Sequence, residues 1–538
     1  MVQHRGIVIS KNGMVCSAHP LSSWAGADVL SRGGNAMDAI IAMALTTGVV
    51  LPNMSGLGGD AFMLFYDGKT GKVTAMNGSG RVPMRATRDY YLSKGYKSMP
   101  VRGMLSVSVP GAVSVYFKAL SMFGTMKFQD LSKYAIDYAE QGFPVAQTTS
   151  AEMKADLKTL REHPSAEKTF LKDGMAYEPG EILKNPDYAN TLRILNEEGE
   201  DAFYKGEIAR KIVDYSKVHG GLFEPEDFQN HETIVYEPIS TTYRGYTVYE
   251  TAPVSQGAIV LEELNILEGF VLKSMGPDSP DAIHVMVEAK KIAFSDRIKY
   301  FGDPDFVKNP LKGIISKDYA RKAMEYIRMD KTLTEDTGLS PFDFEGDTTS
   351  MVAVDRWGNA VSFIHSLSNS WGSCEVVEGT GILLNNRAGR GFNLIEGHPN
   401  CIAPWKKTMH TLNTWLITKD GRLKWVGNTP GGDGQPQWNM QLICNLIDFG
   451  MNVQEAVEAP RWLDFPGTDP VSWEKDPELR IESRISEATV RSLKNRGHNV
   501  VLLDPYGAGG AAQIIEVNKE GVMFGGSDPR ADGMAIGI

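Results

Sequence analysis

The character of the sequence changes abruptly at Thr348, and this change limits the folds that the chain can adopt. From about residue 110 to residue 340 the apolar spacing is mostly that of helices, and it ends in the polar, acidic segment MDKTLTEDTGLSPFDFEGD. TSMVAVD and AVSFIHS then alternate apolar and polar residues around RWGN, which supplies a turn at Gly358. The pattern predicts a β-hairpin that begins at Thr348, in an α/β chain with a helix-rich first part and a strand-rich second part.

Other segments extend this division of the chain. Residues 36–49 form an apolar stretch between glycine-rich segments, which predicts a buried helix. In the second part, GILLNN, HTLNTWLITKDGRLKWVGN and AAQIIEVNKEGVMFGGS are further strand candidates. At 538 residues the chain exceeds the usual size of a single core, so either two domains or one large domain with an accessory layer is expected.

Charge and composition exclude several classes of protein. The formal net charge is -11, and no sustained basic run is present, so we expect no nucleic-acid partner. The longest apolar run, AIIAMALTTGVV, is too short to span a bilayer, so no membrane partner is expected. The N-terminal sequence lacks the apolar stretch of a secretory signal, and a cytoplasmic location is the expectation.

The cysteines and histidines give no metal-binding or redox pattern. Cys16, Cys374, Cys401 and Cys444 are widely spaced and form no CxxC pair, which predicts reduced thiols. No two histidines are three or four residues apart, so a helical His-x-x-x-His site is excluded. We predict no metal and no other cofactor.

Thr348 is a candidate nucleophile only if the chain is cut before it. A threonine hydroxyl needs a base, and the residue's own α-amino group can serve when the residue is an N-terminus. Such an amine has a reference pKa of about 7.7 to 8, so part of it is unprotonated near neutral pH. Two adjacent threonines are, however, also typical of an ordinary strand start, and the pair alone favours that plainer reading.

Several motifs, in one order, decide between these two readings. The segment GDTTSMVAVDRWGNAVSF resembles the site at which proenzymes of the γ-glutamyltranspeptidase family cleave themselves. The resemblance continues through SRGGNAMDAIIAMAL, VLPNMSGLGGDAFML, SVSVPGAVSVY, HVMVEAKKIAFSDRIKYFGDPDF, GILLNN, TPGGDGQPQ, AVEAPRW and GGSDPRADG, which together extend from about residue 16 to the C-terminus.

The resemblance implies a fold and a maturation step. The family consists of N-terminal-nucleophile hydrolases, whose fold is a four-layer αββα sandwich. Cleavage is expected between Asp347 and Thr348, giving a large subunit, 1–347, and a small subunit, 348–538, that stay associated as a heterodimer. This heterodimer could dimerise further. Thr348 is expected to attack first the preceding carbonyl and then the amide of a small-molecule substrate, which forms an acyl-enzyme.

The resemblance also implies roles for individual residues. Gly431 and Gly432, in TPGGDG, match the loop whose N–H groups stabilise the oxyanion, although PGG by itself is typical of a turn. Thr349 and Ser366 match hydroxyl positions that support the nucleophile. Asn385 and Asn386 match a strand end that shapes the substrate pocket, but each could equally satisfy local backbone groups.

The sequence departs from the glutathione-cleaving pattern at the substrate pocket. An acidic residue that holds the α-ammonium group of the donor is replaced within NNRAGRGF, where Arg387 and Arg390 suit a carboxylate instead. His410 and Thr411 stand where paired serines are expected. Arg81 lies two residues from the position of the arginine that binds the α-carboxylate, so it either inherits that role or is a solvated surface residue.

These departures resemble the divergent branch of the family that includes cephalosporin acylases and oxamate amidohydrolases. We therefore predict an amidohydrolase that acts through a threonyl ester on acyl groups such as oxamyl, glutaryl or γ-glutamyl, with water as the main acceptor. One alternative is a γ-glutamyltransferase that acts on glutathione. Another is an uncleaved, inactive homologue that serves as a binding protein. A Cys374 nucleophile assisted by His365 is a further alternative, and it requires a lowered thiol pKa.

Overall fold

The structure is a computed structural model of the chain, and it describes residues 3–333, 348–465, 467 and 476–538. The predicted cleavage residue Asp347 and most of the acidic segment lie outside the described residues. All four cysteines are described, and all four are free thiols, as predicted. No helix in the described ranges has the length and apolar content needed to span a bilayer.

The strands have the following bounds in chain order: β1 (Val8–Ser10), β2 (Gly13–Ser17), β3 (Asp60–Tyr66), β4 (Val73–Asn77), β5 (Phe143–Pro144), β6 (Ile182–Leu183), β7 (Ile234–Tyr236), β8 (Ile239–Tyr243), β9 (Tyr246–Glu250), β10 (Thr349–Asp355), β11 (Ala360–Ser366), β12 (Val376–Val377), β13 (Ile382–Leu383), β14 (Trp415–Lys419), β15 (Arg422–Asn428), β16 (Trp462–Phe465), β17 (Glu478–Glu482), β18 (Val500–Leu503), β19 (Gln513–Val517), β20 (Met523–Ser527) and β21 (Met534–Gly537).

The helices have the following bounds: α1 (Pro20–Ser31), α2 (Ala36–Val50), α3 (Arg88–Ser93), α4 (Ala112–Phe123), α5 (Phe128–Leu131), α6 (Lys133–Gln141), α7 (Gln147–Ala155), α8 (Leu157–Glu162), α9 (Pro164–Phe170), α10 (Pro186–Glu198), α11 (Glu200–Tyr204), α12 (Glu207–Val218), α13 (Pro225–Gln229), α14 (Gly257–Leu267), α15 (Leu272–Met275), α16 (Pro280–Tyr300), α17 (Leu311–Ile314), α18 (Lys317–Met324), α19 (Arg387–Gly391), α20 (Gly434–Ile447), α21 (Val453–Glu458) and α22 (Glu487–Asn495), with a 3₁₀ turn at Met104–Ser106.

Two large antiparallel sheets form the centre of the molecule. Over the described residues, the first has the strand order β21-β2-β10-β11-β3-β4-β7 and the second has the order β1-β20-β19-β15-β14-β9-β8. The predicted hairpin is confirmed, because β10 pairs with β11 and Thr349 lies opposite His365. The strand begins at Thr349, one residue later than predicted, so Thr348 directly precedes it. Gly358 has φ +81° in the connecting turn.

Side-chain alternation along the strands builds the layers. Val352 and Val354 on β10 belong to an apolar cluster with Leu416 and Val426 of the other sheet, so the two sheets pack face to face. The opposite face of the first sheet packs on α1, α2, α4 and α6, and that of the second sheet packs on α14, α16, α20 and α21. The four-layer αββα sandwich is therefore confirmed.

Both predicted parts of the chain contribute to both sheets. The helix-rich first part also supplies β1–β9, and β10 and β11 lie side by side between its strands β2 and β3. Sequence patterns did not indicate this mixing, because strand partners far apart in the chain leave no local signal. The arrangement places Thr348 directly before β10, whose residues are all buried, so both faces of this strand are covered.

Candidate active site

Thr348 lies inside the protein and is held by two side chains. Thr348 is 1% exposed, and its Oγ donates a hydrogen bond to Ser366 Oγ at 3.1 Å. Gln435 Nε2 donates to Thr348 Oγ at 3.4 Å. Ser366 Oγ also accepts the backbone N–H of Ser368 at 2.8 Å, which fixes its position. The structure therefore brings Ser366 to the candidate nucleophile, where the resemblance placed it.

Thr349 lies next to the nucleophile in sequence but makes no hydrogen bond with it. The residue is fully buried, and its Oγ has no hydrogen-bond partner among the described residues. Successive side chains on a strand point to opposite faces, which separates the two threonine hydroxyls. A supporting role for Thr349 remains a prediction.

In the loop with Gly431 and Gly432, both glycine carbonyls accept hydrogen bonds from other groups of the protein. Gly431 has φ +125° and Gly432 has φ +54°, conformations that favour glycine. A Cβ atom on Gly431 would lie 2.1 Å from the Trp438 ring, so no side chain fits there. The Gly431 carbonyl accepts from Gly434 N at 2.8 Å, and the Gly432 carbonyl accepts from Gln256 Nε2 at 3.0 Å.

Neither glycine N–H has an acceptor within the part of the chain that the structure describes. Gly431 and Thr348 line the same cavity, so the loop is a candidate source of the two N–H donors that an oxyanion requires. Asp433, the next residue, forms a buried ion pair with Arg297, and this contact joins the loop to α16.

Arg387 is a buried cation whose hydrogen bonds are incomplete. It is 1% exposed, its Nη1 donates to Thr411 Oγ at 3.1 Å, and its Nε lies 3.5 Å from Asp60 Oδ2. Its Nη2 has no hydrogen-bond partner among the described residues. Burial lowers the pKa of Arg387 to about 9, with the Asp60 carboxylate opposing this shift and the charge of Arg390 adding to it.

Arg390 lies one turn further along the same short helix, α19. It is 2% exposed, and its Nη1 donates to the Ser368 carbonyl at 3.3 Å. Ser368 is the residue whose N–H holds Ser366 Oγ, so Arg390 is linked to the nucleophile through one peptide segment. Both arginines of NNRAGRGF are therefore buried on α19, and Arg390 contacts the segment that holds Ser366.

Asp60 is shared between Arg387 and His410. His410 Nε2 lies 3.1 Å from Asp60 Oδ2, and the Gly80 N–H reaches Asp60 Oδ1 at 3.0 Å. Burial lowers the pKa of His410 to about 3, and the charge of Arg387 adds to this effect. The imidazole is therefore neutral and donates to the carboxylate. Burial opposes ionisation of Asp60, but the His410 hydrogen bond and the Arg387 charge outweigh it and hold the pKa of the carboxyl below its usual value.

Arg81 is engaged elsewhere. Its guanidinium contacts Asp303 at 3.1 Å and Asp305 at 2.5 Å, and it donates to the Trp405 carbonyl at 2.9 Å. These contacts use the planar fork of the side chain for an internal ion pair. Arg81 therefore ties the segment after β4 to the segment after α16.

Asn385 and Asn386 join distant segments. Asn385 Nδ2 donates to the Gly58 and Ser108 carbonyls at 2.9 Å and 3.0 Å, and its Oδ1 accepts from Ser108 and from Arg387 N. Asn386 Nδ2 donates to the Val101 carbonyl at 2.8 Å. Both amides are satisfied by backbone groups, so they position α19 and its arginines.

A cavity of about 160 Å³ adjoins Thr348. Its walls are mostly small or apolar and include Leu51, Gly431 and Gly510, and its charged lining groups are Glu152 and Arg530. Arg387 and Arg390 do not line it. The cavity beside Thr348 therefore has a carboxylate, Glu152, and a guanidinium, Arg530, in its lining.

Cys374 does not have the properties of a nucleophile. Burial raises the pKa of its thiol to about 11, opposite to what a reactive thiolate requires. His365 instead contacts the Tyr116 hydroxyl at 3.1 Å, and burial lowers its pKa to about 3.

One cluster outside this site has metal-ligating side chains. Ligand atoms of His284, Glu288 and His498 lie within 4.8 Å of one another, although the two histidines are too far apart in sequence for a spacing motif to find them. His284 Nδ1 contacts His498 Nε2 at 2.8 Å. Lys291 Nζ contacts Glu288 Oε1 at 3.1 Å, so an ammonium group already neutralises the carboxylate.

Sequence patterns missed three polar residues of the site. Gln435 contacts Thr348, Gln256 donates to the Gly432 carbonyl, and Asp60 pairs with Arg387. Asp60 and Gln435 both lie within quoted family blocks, directly after glycine-rich turns. This position could have indicated both residues, because a side chain that directly follows a glycine-rich turn lies at the end of a buried strand or helix.

Comparisons with known proteins agree with this geometry. A family model described as Gamma-glutamyltranspeptidase matches residues 22–538. The Glutathione hydrolase-like YwrD proenzyme of Bacillus subtilis (strain 168) is 38% identical over 534 residues, which cover 99% of each chain. The Oxamate amidohydrolase proenzyme of Klebsiella pneumoniae subsp. pneumoniae is 33% identical over 541 residues, which cover 98% of this chain and 99% of that one.

A solved structure extends the similarity to three dimensions. The cephalosporin acylase from Bacillus halodurans superposes with a TM-score of 0.92 at 35% identity, covering 100% of this chain and 98% of that chain. The resemblance drawn from the motifs is thereby confirmed over nearly the full length. The chain belongs to the gamma-glutamyltranspeptidase family.

Proposed function

We propose that the chain is a self-processing amidohydrolase that hydrolyses amides whose acyl group carries a carboxylate. Cleavage between Asp347 and Thr348 gives subunits 1–347 and 348–538, and Thr348 then forms an ester with the acyl group. The names of two relatives support this proposal. One is called a glutathione hydrolase-like proenzyme and the other an oxamate amidohydrolase proenzyme. The similar solved structure is called a cephalosporin acylase.

The proposed chemistry assigns one task to each group at the site. The α-amine of Thr348 accepts the proton of Thr348 Oγ–H as Oγ attacks the amide carbonyl. The N–H groups of Gly431 and Gly432 stabilise the oxyanion, and Ser366 Oγ orients the hydroxyl. The amine leaves with the proton from the α-ammonium group, and the cavity beside Thr348 offers it space. Water then hydrolyses the ester.

The incomplete hydrogen bonding of Arg387 carries the substrate assignment. A buried cation with an unsatisfied N–H group is costly unless an anion pairs with it. Asp60 lies 3.5 Å from Arg387 Nε and accepts from His410 and from Gly80 N, so Nε and Nη2 of Arg387 have no hydrogen bond among the described residues. Arg390 adds a second buried cation on the same helix. A substrate carboxylate would pair with Arg387, whereas the α-ammonium group of a glutamyl donor would be repelled.

Intact mass is the first test of self-processing. Purified protein is expected to give two fragments, one that ends at Asp347 and one that begins at Thr348. The Thr348→Ala variant is expected to remain a single chain. A single full-length species in both proteins would instead support the inactive binding-protein alternative.

A panel of anilides tests the acyl group. Glutaryl, γ-glutamyl and butyryl anilides share a leaving group but differ in charge, and we expect the glutaryl substrate to have the highest kcat/KM. Arg387→Met should lower kcat/KM for the glutaryl anilide by roughly 10²-fold, because a hydrogen bond to a charged group contributes about 1.5 to 3 kcal/mol. The butyryl anilide should be affected little.

Arg491→Gln is the matched control, because this arginine is exposed and pairs only with Glu487 among the described residues. Equal losses on the glutaryl and butyryl substrates in Arg387→Met would contradict the carboxylate assignment. Efficient transfer of a γ-glutamyl group to a dipeptide, above the rate of glutaryl hydrolysis, would favour the γ-glutamyltransferase alternative.

A further inference from the structure

We infer that Gln435 is a further catalytic residue whose side-chain amide donates a hydrogen bond to the oxyanion formed when Thr348 attacks. This inference rests on the proposed function, because it requires Thr348 to be the nucleophile. Gln435 would act as a third donor beside the N–H groups of Gly431 and Gly432. None of the sequence motifs gave it a task.

The orientation of the amide is fixed by its neighbours. Gln435 Oε1 accepts the Asn413 backbone N–H at 3.2 Å, and a backbone N–H can only donate. The oxygen therefore faces Asn413, and Nε2 is the end that faces Thr348 Oγ at 3.4 Å. The donor direction follows from chemistry and does not depend on an arbitrary choice between the oxygen and nitrogen positions.

A buried network holds Gln435 in this position. Asn439 Nδ2 donates to Asn413 Oδ1 at 2.7 Å, and Trp415 Nε1 donates to Asn439 Oδ1 at 2.9 Å. All four residues are fully buried. Gln435 N also donates to the Gly432 carbonyl at 3.2 Å, so the side chain and the oxyanion loop belong to one rigid unit at the start of α20.

The amide has donor capacity that the described residues do not use. Nε2 carries two hydrogens, and its one recorded acceptor in the described part of the chain is Thr348 Oγ, at the long distance of 3.4 Å. A buried donor left unsatisfied costs about 1 to 3 kcal/mol. Gln437 and Gln441, which follow on the same helix, differ in this respect, because each Nε2 donates to two backbone carbonyls.

The geometry matches the needs of the transition state. When Thr348 Oγ bonds to the carbonyl carbon, its proton moves to the α-amine and the π electrons of the carbonyl move onto its oxygen. That oxygen is two bonds from Oγ, so a donor that lies 3.4 Å from Oγ is within reach of it. Gln435 donates a hydrogen bond and transfers no proton. Collapse of the intermediate breaks the C–N bond, and the amine takes the proton from the α-ammonium group.

Two variants and one control test the inference on a glutaryl anilide. Gln435→Met removes both donor hydrogens with little change in volume, and its kcat should fall by about 10²- to 10³-fold, as for other lost oxyanion donors, while KM changes little. Gln441→Met is the control, because it removes a buried glutamine from the same helix without a contact to Thr348. Melting temperatures should be similar for the two variants.

Gln435→Glu supplies a readout that a structural role would not produce. A deprotonated carboxylate offers no donor, whereas a protonated carboxyl offers one O–H. The ratio of its kcat to that of the wild type should therefore rise as the pH falls from 8 to 5. The same ratio for Gln435→Met should stay flat.

The outcomes separate this inference from the proposed function. A kcat of Gln435→Met within fivefold of the Gln441→Met value, or a flat ratio for Gln435→Glu, would overturn the role of Gln435 and leave Thr348 unaffected. Failure of the wild-type protein to self-cleave would instead overturn the proposed function. If Gln435→Met is not processed, the rate of self-cleavage replaces kcat as the readout, since Thr348 attacks a carbonyl in that step too. That rate should then lie far below the rate of Gln441→Met, and equal rates would contradict the inference.

Discussion

At the scale of single residues, the site contrasts two arginines that look alike in sequence. Arg81 has two carboxylates and a carbonyl around its guanidinium, so its charge is balanced within the protein. Arg387 has a shared carboxylate at 3.5 Å and one hydroxyl, so its charge is balanced only in part. This difference in partners, which spacing cannot reveal, separates an arginine that supports the fold from one suited to bind a ligand.

Buried histidines predict how stability depends on pH. Burial lowers the pKa of His365 to about 3, whereas an unfolded histidine titrates near 6.5. Between these values the unfolded chain binds more protons, so stability is lost as the pH falls below about 6.5. At pH 5 the 1.5-unit gap corresponds to about 2 kcal/mol for this residue.

Urea unfolding of the uncut Thr348→Ala chain at pH 7.5 and pH 5 measures this effect. In a His365→Gln background, the loss of unfolding free energy between the two pH values should be smaller by about 2 kcal/mol. His219→Gln is the control, because His219 is exposed and its removal should leave the loss unchanged. An equal loss with and without His365 would show that this histidine does not contribute.

At the scale of elements, α16 connects the helical layer to the loop that contains Gly431 and Gly432. Arg297 on this helix pairs with Asp433, and their side chains are 5% and 4% exposed. The loop thus has support from Gln256 at one carbonyl and from α16 at the following residue. Donors that must meet a developing charge need this kind of support, since small displacements reduce their effect.

Breaking this ion pair should affect both stability and rate. Arg297→Met is expected to lower the unfolding free energy of the Thr348→Ala chain by about 3 to 5 kcal/mol, because it removes one partner of a buried pair. In the processed enzyme it should lower kcat more than it raises KM. The double variant Arg297→Met/Asp433→Asn should recover part of the stability, and a strictly additive double variant would show that the pair is not coupled.

How far sequence anticipates these elements depends on the range of their contacts. The hairpin β10–β11 and helix α2 were predictable, because their patterns and turns are local. The position of β10 beside β2 was not, since that pairing joins residues more than 300 apart in the chain. The candidate nucleophile and the glycine loop were predicted from family motifs. Gln435 was missed because its importance arises from Asn413 and Thr348, which only the folded chain brings together.

At the scale of the whole molecule, the two expected subunits are interleaved. Strands β10 and β11 of segment 348–538 lie between β2 and β3 of segment 1–347, and the second sheet also mixes the two segments. Among the described residues, neither segment supplies all the strands of either seven-stranded sheet. The products of cleavage should therefore remain associated without a covalent link.

Refolding experiments test this interleaving. After complete unfolding in urea and dilution, activity of the processed enzyme should recover in proportion to protein concentration, because two chains must meet. The uncut Thr348→Ala chain should regain its circular dichroism at a rate independent of concentration. Recovery of the processed enzyme that does not depend on concentration would show that one segment folds alone.

The interleaved sheets have a consequence for the lifetime of the enzyme. While the peptide bond before Thr348 is intact, it keeps the two segments at a high effective concentration, and an unfolded chain can refold. In the proposed maturation, cutting that bond creates the catalyst and removes the tether at the same moment. The finished enzyme is then preserved by the slowness of its unfolding, and a molecule that opens fully is replaced by new synthesis and not by repair.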